Sequence, residues 1–257
     1  MRWIVSAALV WLVATQALGQ PEEDINSDRP GFAESSEVVG PGRIQLETGL
    51  QREVRKAGHD PERKVFVPTL LRFGVSERLE GRVESDLYAW MREPGGERTQ
   101  AYAPLSLGFK YRFLEGKGSR PSLGALVRLS PPSGSNALRT QHTTGDVRLA
   151  ADWDLSEQWS LNPNVGLAID EDDQGNRFSA RLVAATLAYK PVKKLQLFVD
   201  FLAQSPEEKG GRTSVIYDAG LAYLLSRDVQ VDASLGVRGA GSTTPQSFVA
   251  AGLSVRF

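Results

Sequence analysis

The chain has 257 residues, with 30 Lys plus Arg against 31 Asp plus Glu, two His and no Cys. A net charge of -1 and a pI ≈ 6.2 leave no electrostatic footprint for nucleic acid, and the lack of Cys removes disulfides, thiol nucleophiles and cysteine metal sites. The mean hydropathy of -0.27 resembles that of a soluble protein, yet strands that alternate lipid-facing and lumen-facing residues average to the same value.

Residues 1–19 read as a secretory leader: Met1-Arg2 gives the positive start, Trp3 to Ala14 the apolar core, and Ala17-Leu18-Gly19 a small-x-small cleavage site before Gln20. The apolar core falls short of the roughly 18 residues a spanning helix needs. Residues 20–42 are rich in Pro and Gly and show no sustained period, so they are expected to form an extended segment on the periplasmic side.

From residue 43 onward the period is two. Ile44, Leu46, Thr48 and Leu50 share one face, with Gln45, Glu47, Gly49 and Gln51 opposite. Val67 to Val75 and Leu79 to Leu87 continue the pattern, the second setting Glu80, Arg82, Glu84 and Asp86 on one face. Four charges along one strand face cannot be a dry core. Further runs follow at Ala103 to Phe113, Leu123 to Leu129, Val147 to Trp153, Trp159 to Leu167 and Leu195 to Phe201. The run around Arg177 to Tyr189 is less regular, because Leu182-Val183-Ala184-Ala185 is apolar on both faces. The last run sets Val249, Ala251, Leu253, Val255 and Phe257 against Phe248, Ala250, Gly252, Ser254 and Arg256, then stops on the aromatic.

These runs predict an all-β fold, a closed antiparallel transmembrane β-barrel of about twelve strands over residues 43–257. Connections alternate between short ones near 77, 116, 157, 192 and 227 and longer ones near 60, 96, 137, 173, 207 and 242. Periplasmic turns and outer loops account for that alternation, whereas a soluble sandwich with one core face and one solvent face does not. Aromatic residues at run ends, among them Trp153, Trp159, Tyr189 and Tyr223, suit an interfacial girdle against the outer-membrane lipids.

The opening Ser27-Asp28-Arg29-Pro30-Gly31-Phe32-Ala33-Glu34-Ser35, the Pro41-Gly42-Arg43-Ile44-Gln45-Leu46-Glu47-Thr48-Gly49 that follows, and the closing stretch from Tyr217 to Phe257 resemble the bacterial family labelled "putative MetA-pathway of phenol degradation". The resemblance spans nearly all of the mature chain and implies an outer-membrane transporter-like barrel with affinity for aromatic or poorly soluble compounds. Where the family pattern carries an acidic residue after Asp-Arg-Pro, this chain has Gly31. Phe257 resembles the terminal signal read by the barrel-insertion machinery.

The period places Glu47, Arg72, Glu80, Arg82, Glu84, Asp86, Lys110, Arg112, Arg128, Asp146, Arg148, Asp152, Asp200, Asp218 and Asp232 toward the lumen. Such a lumen is either a conduit whose charges bias the passage of a small solute or a filled interior in a structural or adhesion barrel. Asp28, Arg29 and Pro30 are candidates either to plug the lumen or merely to cap its mouth.

The remaining motifs point elsewhere only weakly. Asp170 to Asn176 imitates the start of a calcium loop but has Arg181 where a bidentate Glu is required. His142-Thr143-Thr144 resembles the His-x-Ser of outer-membrane phospholipases with Thr in place of the nucleophile and no neighbouring Asn. No catalytic residue, metal, cofactor or nucleic-acid partner is therefore expected.

Overall fold

A computed structural model describes residues 23–56 and 60–257. The expected leader and His59 lie outside the described residues. Fifteen strand segments follow one another: β1 (Ile44–Lys56), β2 (Glu62–Phe66), β3 (Thr69–Gly74), β4 (Leu79–Ser85), β5 (Tyr88–Arg92), β6 (Arg98–Tyr102), β7 (Ser106–Leu114), β8 (Ser122–Ser130), β9 (Thr144–Asp154), β10 (Trp159–Glu171), β11 (Arg177–Val192), β12 (Leu195–Ser205), β13 (Ser214–Ser226), β14 (Val229–Ala240) and β15 (Ser247–Arg256). Three pairs, β2 with β3, β4 with β5 and β6 with β7, are single staves broken in the middle, so the wall has twelve strands. All are antiparallel, and β1 pairs with β15 from Gln45↔Arg256 to Val54↔Ser247, which closes the sheet on itself.

The molecule is inside-out relative to a soluble protein. Phe109 is 62% exposed, Leu167 66% and Leu235 60%, whereas Arg72 and Glu80 are 0% and Lys110 1% exposed. An apolar band that encircles a wall around a charged interior is stable only where acyl chains solvate the outside. Closure satisfies the backbone of the end strands, which hydrocarbon could not do. Trp153, Trp159, Tyr223 and Phe257 lie exposed near the end with the short turns, where Trp159 packs on Tyr189 with centroids 4.7 Å apart. Tyr88, Trp90 and Tyr102 form an edge-to-face cluster toward the end with the long loops.

The three staves break at one level, at Val67-Pro68, at Asp86-Leu87 and at Ala103 to Leu105. Pro68 and Pro104 have no N–H to give a ladder, and Leu87 takes a left-handed backbone with φ 47. Bonds from Val67 N to Asp86 O (3.2 Å) and from Ala103 N to Leu87 O (2.9 Å) stitch the breaks together. Inward positions are Glu80, Arg82 and Glu84 below the break and Ala89 above it, so the alternation changes phase. The regular period expected along these staves does not survive that crossing.

Among the outer loops, Glu207 clasps the 241–246 connection. Its carboxylate accepts bonds from Ser242 N (2.8 Å), Ser242 Oγ (3.2 Å), Thr243 N (3.1 Å) and Thr243 Oγ1 (3.0 Å). Burial pushes this carboxyl up, and the donors more than offset it, leaving it below its ordinary value. A depressed carboxyl contributes stability above its unfolded pKa and loses it as pH falls through the folded one. The clasp is therefore expected to hold at neutral pH and to loosen only when pH falls below the ordinary carboxylate range. Glu207→Ala should expose residues 241–246 to protease already at pH 7, and equal protection of the variant would contradict the assignment.

Candidate functional site: a charged lumen crossed by the N-terminal segment

Strand alternation turns every second side chain inward, and register decides which of the inward charges meet. Glu80 stands opposite Lys110, and Arg128 opposite Asp146. Arg72, however, stands directly opposite Arg82. Like charges in that arrangement repel, and both guanidinium groups are buried.

The compensating anion comes from outside the wall. Asp28 Oδ2 lies 2.6 Å from Arg82 Nη1, 2.8 Å from Lys110 Nζ and 3.6 Å from Arg72 Nη1. Wall carboxylates complete the cluster: Arg72 pairs with Glu47 at 3.0 Å and Glu80 at 2.9 Å, and Arg82 with Glu80 at 3.2 Å and Glu84 at 3.0 Å. Each cation is thus held by carboxylates from at least two elements.

Asp28 belongs to a stretch, residues 23–42, that runs inside the barrel. Ile25 N bonds Arg227 O at 2.7 Å. Arg29 forks onto Asp232 at 3.0 and 3.3 Å, and Pro30 follows through a cis peptide bond. Phe32 N donates to Asp200 at 2.7 Å, and its ring meets Phe248 edge-on at 5.8 Å. Glu34 reaches Arg82 at 2.9 Å and Arg128 at 3.5 Å. Ser36 N bonds Asp152 at 2.6 Å, Glu37 pairs with Arg112, and Val39 N bonds Glu80 at 2.9 Å.

Glycines on the inner wall make room for this path. Gly49 and Gly252 are register partners across the closing seam, and a Cβ at either would overlap the Arg29 guanidinium. A Cβ on Gly74 would collide with the carbonyl of Gly40, and one on Gly124 would crowd Ser36.

The remaining charges line the same space: Arg148 pairs with Asp146 at 2.8 Å, and Asp86 with Lys64 at 3.2 Å beside the wall break. Asp218 faces inward opposite Asp200. Sequence reasoning missed Glu34, Ser36, Glu37 and Asn164, which accepts a bond from Glu34 N at 2.8 Å; the acidic and hydroxylic spacing after Asp-Arg-Pro was the available signal. It also missed an apolar part of the lumen formed by Leu126, Leu182, Phe198, Ile216 and Phe248, of which the two-sided apolar run on β11 was one sign.

Two cavities flank the segment. One of ≈ 770 Å³ opens at the short-turn mouth, lined by residues such as Pro30, Gly31, Arg112, Asp152, Lys190 and Phe198. Another of ≈ 380 Å³ runs from Arg29, Glu47 and Arg128 to Pro68, Asp86 and Pro104 at the wall break.

Neither alternative motif assembles a site. His142 sits on an outer loop with Nδ1 2.7 Å from Glu171, and Asp172 accepts Gln174 N and Asn176 N at 3.0 and 2.9 Å in an ordinary turn. Among the described residues no cluster of three metal-ligating side chains occurs.

The family model described as "Putative MetA-pathway of phenol degradation" matches residues 27–257. The chain belongs to this family. The match starts at Ser27, so the family pattern includes the lumen-crossing segment as well as the wall. Among solved structures, the COG4313 outer membrane channel from Pseudomonas putida F1 is similar at 16% identity with a TM-score of 0.64, covering 89% of this chain and 99% of that one. The KdgM porin is similar at 10% identity and TM-score 0.54, covering 84% and 99%, and the NanC porin at 11% and 0.52, covering 82% and 98%. No curated protein sequence matches. The fold and the family agree with the lipid-facing exterior: the protein is an outer-membrane β-barrel.

Proposed function

We propose that the barrel passes a small solute across the outer membrane, with residues 23–42 as its removable gate. The observation that carries this reading is how the interior is closed. The charges of Arg72, Arg82 and Lys110 are neutralised in part by Asp28 and Glu34, which a non-covalently held segment brings in. A purely structural barrel can fill itself from its own walls without a separate segment. Cavities on both sides of the segment leave room for a solute once it moves.

The family name supports an aromatic or otherwise hydrophobic solute, and the similar solved structures are a channel and porins. The protein performs no covalent chemistry in this reading, and lipid hydrolysis is expected to be equal for wild type and His142→Ala. Export by the 1–19 leader and insertion through Phe257 complete the proposal. Planar-bilayer recording tests it. Small, interrupted conductance is expected from the refolded protein, and silent membranes containing demonstrably inserted barrels would favour a structural or adhesion role.

A further inference from the structure

Asp200 and Asp218 repeat, with opposite sign, the problem posed by Arg72 and Arg82. They are direct cross-strand partners on β12 and β13, 5% and 4% exposed. Asp200 Oδ2 accepts Phe32 N at 2.7 Å and Thr186 Oγ1 at 3.2 Å. Asp200 Oδ1 and both oxygens of Asp218 receive no hydrogen bond. Among the described residues no Lys, Arg or His pairs with either, although Glu47, Glu80, Asp146 and Asp232 each have a cation.

Two carboxylates opposed in a buried wall repel each other and are costly without a positive partner. The segment that brings an anion to the arginines brings only a backbone N–H here.

A third strand contributes independently. Ser234 on β14 is 7% exposed, its Oγ has no hydrogen-bond partner, and it is a neighbour of Asp218. Aromatic surface completes the surroundings. Phe198 precedes Asp200 by two positions on the same face and lies over Gly220, where a Cβ would meet its ring. Phe32 stands in front with Phe248. The ≈ 770 Å³ cavity at the short-turn mouth reaches Gly31, Thr186 and Phe198, the neighbours of the pair.

We propose that Asp200, Asp218 and Ser234 form a binding site for a protonated organic amine. Three N–H donors of a primary ammonium match the free acceptors at Asp200 Oδ1, Asp218 and Ser234 Oγ, and charge-assisted bonds of this kind are the strong ones. Aromatic faces favour the cation and its adjoining carbons over a bare ion. A calcium ion takes six to eight oxygen ligands, more than these three side chains supply. The site names a solute class for the conduit proposed above, and in its biological role rests on that reading. Binding itself is measured without transport.

Benzylammonium chloride, titrated calorimetrically into the refolded full-length mature barrel at pH 7, tests the site, with benzyl alcohol as the neutral isostere. Benzylammonium is expected to bind at least about tenfold more tightly than benzyl alcohol, with at least about tenfold loss in Asp218→Asn and a smaller loss in Ser234→Ala. Folding of each variant is read from the heat-dependent shift in gel mobility. Absence of benzylammonium binding by folded wild type, as a proton-sharing pair would give, overturns the site. So does equal affinity for the alcohol, or undiminished binding by Asp218→Asn. A barrel that binds the amine yet never conducts would keep the site and refute the conduit.

Discussion

Replacing Asp28 with alanine is expected to raise the conductance of the barrel more than any other single change outside the wall. Asp28 is the only acidic group of the segment that touches Arg72, Arg82 and Lys110 together. Arg72 and Arg82 keep close wall carboxylates, but Lys110 falls back on Glu80 at 3.9 Å and the Glu37 carbonyl at 3.4 Å. Stripping one partner from a buried ion pair costs about 3–5 kcal/mol. If that cost falls on the closed state, about 3 kcal/mol shifts the open-to-closed ratio more than 100-fold. The variant should show longer and larger openings in planar bilayers and faster proteolysis within residues 23–42, with an intact heat-shifted band. Unchanged conductance together with unchanged protection would remove the segment from its gating role.

The wall was legible before the structure because its cause is local. Period two along each run, with Leu107, Phe109 and Tyr111 against Gly108 and Lys110, can be read without knowing any partner strand. Alternating connection lengths supplied orientation in the same way. The break across three staves was not legible, since Pro68 and Pro104 interrupt a ladder only after register has set them level with Leu87. The path of the segment was hidden for a related reason. Asp28 meets side chains 54 and 82 positions away, and a stretch with no period gives no way to choose among the fifteen inward charges. The lumen glycines held the usable clue, because a missing side chain on an inner strand face marks close approach of another chain. Gly49 and Gly252 each look unremarkable alone and form one recess only when the seam pairs them.

That recess yields the second large effect, from Gly252→Leu. A Cβ at Gly49 would also collide with the Ala251 carbonyl, so substitution there disturbs the wall itself. At Gly252 all three nearest atoms belong to the Arg29 guanidinium, and the added side chain competes with Arg29 alone. Overpacking costs about 1–3 kcal/mol, and eviction of Arg29 also strands Asp232, whose only ion-pair partner among the described residues is Arg29. The closing ladder should persist, because Leu at position 252 leaves its backbone bonds to β1 in place. Gly252→Leu is therefore expected to insert as a sealed barrel while releasing the Arg29 end of the segment, seen as openings absent from wild type. Leu253→Ala, one residue on and facing lipid, should behave as wild type in conductance. Asp232→Asn, which weakens the same anchor without filling the recess, should fall between them. Were Gly252→Leu to fold normally and remain as closed as wild type, Arg29 could not be an anchor of the gate, and Asp28, Glu34 and Glu37 would have to hold it shut.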